Sequence, residues 1–457
     1  METPPLDQAL SFRKLLIERF KDFHVQLPTT GCAVCFPDMF FDKGPPGDDL
    51  RGLVIGAQEL PYLKDILPVV MNRAVPDPWP VSSGWMQAIQ KLWGETWTPS
   101  ISLGGRVELD AERRLRLDED QVRILECLDG NNRLFITGSA GTGKTVLAAR
   151  AALLEVEKGR KVLLLCYTEA LAAFLKAYLE NERVIVDAVR MFASSLLGER
   201  GPEDRAGKPI AYWDNVSLRA AVDGVPSQED LWNTVIVDEG QDFSGDDWEL
   251  VKECVHPEGK LWVFADPAQG FWSDRGVREN LVNGFMKFDL KRPYRCPPSI
   301  QHLGECYSGA CQPDRQILRQ ALKDRVIHII TSSEERLKKQ IGKEVNRLLS
   351  EGLNPHDIAI LSLRGLGSEE GIFHEKQLAG HRLVAATDKK ASEHIICDTF
   401  LRFKGLERPA IIITDLRLVK ERHPMRMHIA ISRALSLLRI IGVEQEIKKD
   451  LILARLI

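Results

Sequence analysis

The sequence is short of several things, and each shortage removes a class of protein. Although 44% of its 457 residues are apolar, it has no run of ~18 consecutive apolar residues, so no membrane span is expected. The opening METPPLDQALSFRK has no apolar core behind a basic end, so no secretory leader is expected and the cytoplasm is the expected compartment. Nine cysteines, an odd number scattered along a long chain, do not make a disulfide framework. Most of them are expected to be reduced, buried, small apolar residues. Cys32-x-x-Cys35 has no second pair at metal spacing and lies in an apolar, strand-like run, which predicts buried structural cysteines. Cys306-x₄-Cys311 is a weaker metal or redox signal still, and the histidines are scattered without a metal-like cluster. There is no internal repeat and no low-complexity tract.

Positive charge is also scarce overall: 61 Lys+Arg against 65 Asp+Glu give a net charge of −4. Its distribution is uneven. From Met286 to the end there are 30 basic and 21 acidic residues, and the remaining 285 residues hold 31 basic and 44 acidic. A basic half can carry a phosphate-tracking groove while the whole chain stays acidic.

The length suggests about three domains. Residues 1–115 hold Pro-rich stretches and clustered Trp79, Trp85, Trp93 and Trp97, with an amphipathic helix expected near Gln8–Phe20. They read as a smaller N-terminal α+β domain that serves as an accessory or partner-docking unit. From Leu117 the pattern becomes β/α. Short apolar runs at Leu134–Thr137, Val162–Tyr167, Thr234–Val237 and Leu261–Ala265 fit buried parallel strands separated by helices. A second series follows at Val326–Ile330, Ile358–Leu363, Ile395–Phe400, Ala410–Thr414 and Leu437–Val443. The expected fold is therefore α/β, with two parallel-sheet lobes in tandem over 116–287 and 288–457.

The strand LFIT leads into Gly138, Ser139, Ala140, Gly141, Thr142, Gly143, Lys144 and Thr145, then a helical run. This is a complete G-x-x-x-x-G-K-T loop in its strand–loop–helix context. Its glycines let backbone N–H groups curl around phosphates, Lys144 reaches the β- and γ-phosphates, and Thr145 ligates Mg²⁺. A second strand, TVIV, ends in Asp238-Glu239-Gly-Gln241-Asp242. A carboxylate at a strand end beside such a loop holds Mg²⁺, which assigns Asp238 to the metal, and Glu239 can polarise the attacking water.

With these motifs the chain resembles superfamily I helicases of the UvrD/PcrA/Rep type, over about residues 117–445 and with the motifs in the family's order. DEGQD matches their D-E-x-Q-D, and both lobes are then expected to be RecA-like. The resemblance implies ATP and Mg²⁺ as cofactors and single-stranded or tailed DNA as partner. It places Gln121, in Leu117–Gln121, on adenine. VLLLCYTEALAAFL resembles the motif that touches the DNA backbone, which implicates Tyr167 and Thr168, whereas MFASSLL lacks the Thr and His usual in the motif it resembles. In LWVFADPAQGFW, Gln269 would sense the γ-phosphate and Phe271 and Trp272 would offer faces for base stacking. In FDLKRPYRCPPSI, Tyr294 would stack on adenine and Arg295 would reach the γ-phosphate. In TFLRFKGLE, Thr399 would contact the nucleic-acid backbone, with Gly405 and Glu407 at the nucleotide. Arg433, in MHIAISRALSLLRIIG, would be a second arginine finger.

The large insertions of UvrD-like enzymes have no room here: Phe192 to Asp238 is about 45 residues and Arg295 to Thr399 about 100. The opening segment loosely resembles the linker of NERD nuclease–helicase fusions, but no D…E-x-K nuclease constellation accompanies it, so a nuclease partner supplied in trans is expected. The resemblance also implies 3′-to-5′ movement. Three readings stay open: a helicase, a translocase that does not separate duplexes, and a DNA-responsive regulatory ATPase subunit of a nuclease-containing complex. RNA in place of DNA is a further alternative.

Overall fold

Alternation with both faces apolar is what makes strands central in a layered α/β fold. In the strand Val162–Cys166, Val162, Leu164 and Cys166 enter one core and Leu163 and Leu165 another, all fully buried. The same division separates Ile411 and Ile413 from Ala410 and Ile412 in Arg408–Thr414. A computed structural model describes residues 5–21, 29–36, 53–56, 58–76, 78, 103–199, 204, 207–291, 293–416 and 422–456. Some side chains within the helices Pro5–Lys21 and Leu103–Leu128 lie outside that description, Gln121 among them. So do Trp79, Trp85, Trp93 and Trp97.

The chain divides into two compact units, Met1–Ser100 and Ile101–Ile457. In the first, β1 (Val34–Cys35) pairs in parallel with β2 (Val54–Ile55), accompanied by helices Pro5–Lys21 and Leu63–Ala74. The helix expected near Gln8–Phe20 is present. Phe20 is buried, but Leu10, Phe12 and Leu15 are exposed, so most of its apolar face is uncovered.

The second unit holds two sheets. The first is β3 (Arg133–Gly138), β4 (Val162–Cys166), β5 (Val184–Ala188), β6 (Trp232–Val237), β7 (Val255–Ala265) and β8 (Met286–Leu290), all parallel, in the order β5-β4-β6-β7-β3-β8. The second is β9 (Ile327–Ser332), β10 (Ile358–Ser362), β11 (Gln377–Leu378), β12 (His381–Val384), β13 (Ile395–Thr399), β14 (Arg408–Thr414) and β15 (Ala434–Val443). Its order is β11-β12-β13-β10-β14-β15-β9, parallel except for the edge hairpin β11–β12. This is the tandem RecA-like arrangement, and every strand expected between Leu134 and Val443 is there. Strands β5, β8, β11 and β12, all at or next to sheet edges, are not among the apolar runs expected to be strands.

The helix Leu103–Leu128 runs through residue 115 and belongs to the second unit. Its Leu103 and Val107 join the core of the second lobe, and Leu125 and Leu128 join a core that reaches into the first. Strand β8 completes the first sheet, so the chain crosses between lobes after Leu290, ahead of the helix Pro298–Ser308.

All nine cysteines are free, but only Cys166, Cys254, Cys306 and Cys397 are buried. Cys35 is exposed and Cys32 half-buried, its thiol donating to the Ala9 carbonyl at 3.4 Å. The expectation of mostly buried cysteines therefore fails. In the short β1–β2 pair one face of the strand stays open to solvent.

Candidate functional site

The loop after β3 bends through two residues in the left-handed region, Gly141 (φ +73°) and Gly143 (φ +84°), a conformation that costs glycine least. Gly143 caps the helix Lys144–Glu157. At Gly138 crowding decides: an added Cβ would lie 2.7 Å from Thr142 Oγ1 and 2.9 Å from Leu290 Cβ. The Thr142 hydroxyl donates to the Ser139 carbonyl at 2.8 Å. Lys144 is buried, and its Nζ donates to the carbonyls of Gly138 and Ser139 at 2.8 and 2.9 Å, 3.7 Å from Asp266. The ammonium thus rests on the loop's own acceptors.

Strand β6 lies two places from β3, with β7 between them, and its C-terminal end delivers the acidic group beside the loop. Asp238 is fully buried. Its Oδ1 accepts the Glu239 amide at 3.0 Å, and its Oδ2 has no hydrogen-bond partner. Burial, reinforced by the Glu239 charge, pushes its carboxyl up to about 7 against the pull of Thr145 and Lys144. Glu239 sits at φ +57° and accepts a hydrogen bond from the Gln241 amide. Burial raises its carboxyl, but Lys404, Arg433 and Lys144 outweigh that and hold it below its ordinary value. Two adjacent carboxylates are thereby driven apart, one proton-holding and one ionised.

The second lobe closes the cleft. The Arg433 guanidinium donates to Gln269 Oε1 at 2.7 Å, across the lobe boundary. Arg295 pairs with Glu407 at 3.0 Å. The amides of Tyr294 and Arg295 both donate to the Gly141 carbonyl, at 3.0 and 3.1 Å. A Cβ on Gly143 would collide with the Tyr294 hydroxyl, and one on Gly405 (φ +85°) would collide with Leu171 of the first lobe. One cleft is lined by Ala140, Gly141, Gly143, Lys144 and Thr145 from the loop, then by Glu239, Gln269, Arg295, Gly405, Glu407 and Arg433. The structure therefore gathers residues far apart in sequence. Gln121 lies in the helix Leu103–Leu128, and its side chain is not among those described.

Sequence reasoning missed Lys404. It is 1% exposed, and its Nζ meets Asp242 Oδ2 at 2.5 Å and the Gln269 carbonyl at 2.6 Å, both on the opposite lobe. Its own carbonyl accepts from Thr168 Oγ1 at 3.2 Å. Burial raises the Asp242 carboxyl to about 6 even against this ammonium. The residue stands in the quoted run TFLRFKGLE, but a lysine between two motif positions gives no sign of where its ammonium goes.

A separate groove of about 700 Å³ runs between the lobes, and Tyr167, Thr168, Phe271, Trp272 and Thr399 all line it. Arg190, Arg402, Arg422 and Arg426 share the lining. Arg275 lies over the rings of Tyr167 and Trp272, 5.2 and 4.9 Å from their centroids, and Arg422 lies over Phe271 at 5.2 Å. Trp272 is half-buried, so it packs on the core while keeping one side in the groove. Burial, together with the nearby Arg422 charge, lowers the Arg426 guanidinium. Positive charge therefore exceeds negative here in a chain of net negative charge: Arg190 and Arg402 face Asp214 and Asp398 at 3.9 and 3.6 Å and Glu169 shares the lining, while Arg422 and Arg426 have no carboxylate within ion-pair distance among the described residues.

The histidines are not all scattered: His302 lies against Cys306 and Cys311. No helix among the described residues is long and apolar enough to cross a membrane.

No protein-family model matches the chain, and no curated protein matches it. Among solved structures it is similar to the complex of arterivirus nonstructural protein 10 (helicase) with DNA, at 14% identity and a TM-score of 0.33, covering 68% of this chain and 60% of that one. It is also similar to arterivirus nonstructural protein 10 (helicase) alone, at 12% identity and a TM-score of 0.36, covering 71% and 62%. The chain thus spans less than two thirds of the length of either.

Proposed function

We propose that the chain is an ATP-driven motor on single-stranded nucleic acid, most consistent with DNA, of the UvrD-like superfamily I type. The observation that carries this reading is the pairing of two inter-lobe sites: a phosphate-loop cleft bridged by Arg433 to Gln269, and an arginine- and aromatic-lined groove. The cleft residues fit a magnesium nucleotide. The buried Asp238 Oδ2 has no partner and would hold Mg²⁺ together with Thr145, and the metal would neutralise phosphate charge. Lys144 would exchange the Gly138 and Ser139 carbonyls for phosphate oxygens. Glu239, kept ionised by the cations around it, is the base for the attacking water. Arg295 and Arg433 bring second-lobe charge to the γ-phosphate, which makes hydrolysis depend on lobe closure. Tyr294, Gly405 and Glu407 would frame the base and ribose, with Gln121 on the adenine.

In the groove, the half-buried Trp272 would stack on bases without regard to sequence, with Phe271, buried and edge-on to it, as its support rather than a second stacking face, and the arginines, with Thr168 and Thr399, would track the backbone. An aromatic platform in a basic channel favours the motor over a purely regulatory ATPase subunit. Movement from 3′ to 5′ and a nuclease partner in trans are the further expectations of this reading.

The test is steady-state ATP hydrolysis by the purified chain with and without single-stranded DNA. Strong stimulation is expected in the parent, with loss to background in both Lys144→Ala and Glu239→Gln. Trp272→Ala should weaken single-strand affinity about 10-fold while sparing basal hydrolysis, as loss of ~1–3 kcal/mol of stacking per base requires. Hydrolysis indifferent to any nucleic acid would remove the motor reading.

A further inference from the structure

We propose that the second lobe carries a zinc site built from His302, Cys306 and Cys311. His302 and Cys306 lie on the helix Pro298–Ser308, and Cys311 on the turn that follows it. The spacing, H-x₃-C-x₄-C, puts the first two one turn apart on one helix face. Gly309, at φ +79°, then reverses the chain so that Cys311 folds back onto them.

The distances suit one small ion. The two Sγ atoms are 3.5 Å apart and Cys311 Sγ is 3.5 Å from His302 Nδ1, while Cys306 Sγ faces the other ring nitrogen, Nε2, at 3.8 Å, so one ion on Nδ1 requires a small turn of the imidazole within a cluster whose ligand atoms all lie within 4.8 Å of one another. A tetrahedral ion with Zn–S ~2.3 Å and Zn–N ~2.0 Å separates its donors by roughly 3.5–3.8 Å. The donor set of two thiolates and one imidazole selects a soft or borderline ion over Mg²⁺ or Ca²⁺. Cys306 is buried, while His302 and Cys311 are half-exposed, which leaves an entry side and a fourth position for water.

In this structure the imidazole is held by a different partner. Its Nε2 accepts the Asp314 amide at 2.8 Å, and Asp314 caps the helix Arg315–Lys323. Coordination through Nδ1 moves the ring proton to Nε2, so loading breaks this bond and the 309–314 turn shifts. Both thiols release their protons, so affinity rises with pH. The site would fasten the helix Pro298–Ser308 to the turn at Cys311, in exchange for the bond that ties His302 to the Asp314 amide. That first helix follows Arg295 in the chain, and its Gly304 carbonyl is hydrogen-bonded to His428 Nδ1 at 2.8 Å, on the helix leading to Arg433. A metal here would therefore stiffen the scaffold behind both arginines.

The experiment uses the full chain, stripped of metal under a non-chelating reductant and titrated with Co²⁺ and then Zn²⁺. One equivalent is expected, with tetrahedral d–d bands and thiolate charge-transfer bands that Zn²⁺ bleaches and a rise in Tm on loading. Cys311→Ser and His302→Ala should each weaken binding at least 10-fold, whereas Cys32→Ser/Cys35→Ser should leave it unchanged. Cys311→Ser should keep the metal-free Tm within a few degrees, which separates lost binding from lost folding. The proposal is overturned if no stoichiometric band appears, if binding survives in Cys311→Ser but not in Cys32→Ser/Cys35→Ser, or if mass spectrometry finds Cys306 and Cys311 joined as a disulfide with no metal taken up. None of these readouts requires ATP hydrolysis, so the site and the motor reading can fail independently.

Discussion

Asp238 is held in a costly state, fully buried with its carboxyl pushed up by burial and by Glu239, and in the proposed motor the metal ion would offset that cost. In the folded chain its carboxyl titrates near 7, while unfolded it returns to 3.8. Between those values the unfolded state ionises first and the native state keeps its proton. Stability therefore falls as pH rises from about 4 to about 7, and the full penalty is present above 7. Asp238→Asn removes the charge and keeps the shape. Without divalent cation, the variant is expected to melt higher than the parent at pH 8, by up to about 4 kcal/mol as a shift of this size allows, and to lose that advantage at pH 4. Magnesium nucleotide should raise the Tm of the parent and not of the variant. Equal melting at pH 8 would show that the buried carboxylate is better solvated than its surroundings imply.

At the scale of elements, the informative contacts join the end of one strand to the loop of another lobe. Lys404 follows β13 by five residues and forms a buried ion pair with Asp242, which follows β6. It also holds the Gln269 carbonyl, while its own carbonyl holds Thr168 at the groove. One residue thus touches both sites, and its backbone and its ammonium serve different ones. Lys404→Met should cost about 3 kcal/mol of stability, because Asp242 is left buried and unpaired. Adding Asp242→Asn should recover most of that in a double-mutant cycle. Stimulation of hydrolysis by single strands should stay lost in the double variant, which melting and ATPase assays on the same samples would reveal. Recovery of stimulation together with stability would reduce Lys404 to packing.

Much of this was legible in the sequence. Buried parallel strands announce themselves as continuous apolar runs, and the Gly138–Thr145 loop and the DEGQD strand end have fixed spacings. What could not be read depends on proximity in the folded chain, across the lobes in two cases and around one tight turn in the third. The Arg433–Gln269 bond, the Lys404–Asp242 pair and the approach of His302 to two cysteines join positions whose local sequence gives no hint of the partner. Edge strands such as β5 escaped for another reason: Val184–Ala188 alternates buried with more exposed residues over only five positions. The helix Leu103–Leu128, polar in sequence, gave no sign that its ends pack into different cores.

For the whole molecule, charge distribution sets the sharpest expectation. A net charge of −4 repels a polyanion at long range, so binding must draw on a local field. The groove supplies four arginines in its lining, Arg190, Arg402, Arg422 and Arg426, with Arg275 engaged against Tyr167 and Trp272. If each lining arginine displaces one condensed counterion from a single strand, log K should fall against log salt with a slope of about −3. Replacing Arg402 by Ala should reduce that slope by about 0.7, whereas Trp272→Ala should weaken binding with the slope unchanged. Fluorescence anisotropy of a labelled oligonucleotide from low to moderate salt separates the two. A slope near zero would mean that stacking alone holds the strand, and a slope unaltered in Arg402→Ala would place the phosphates on another face. The acidic remainder of the surface then acquires a role as well: by repelling nucleic acid elsewhere, it confines the strand to the groove between the lobes, where closure over a nucleotide could act on it.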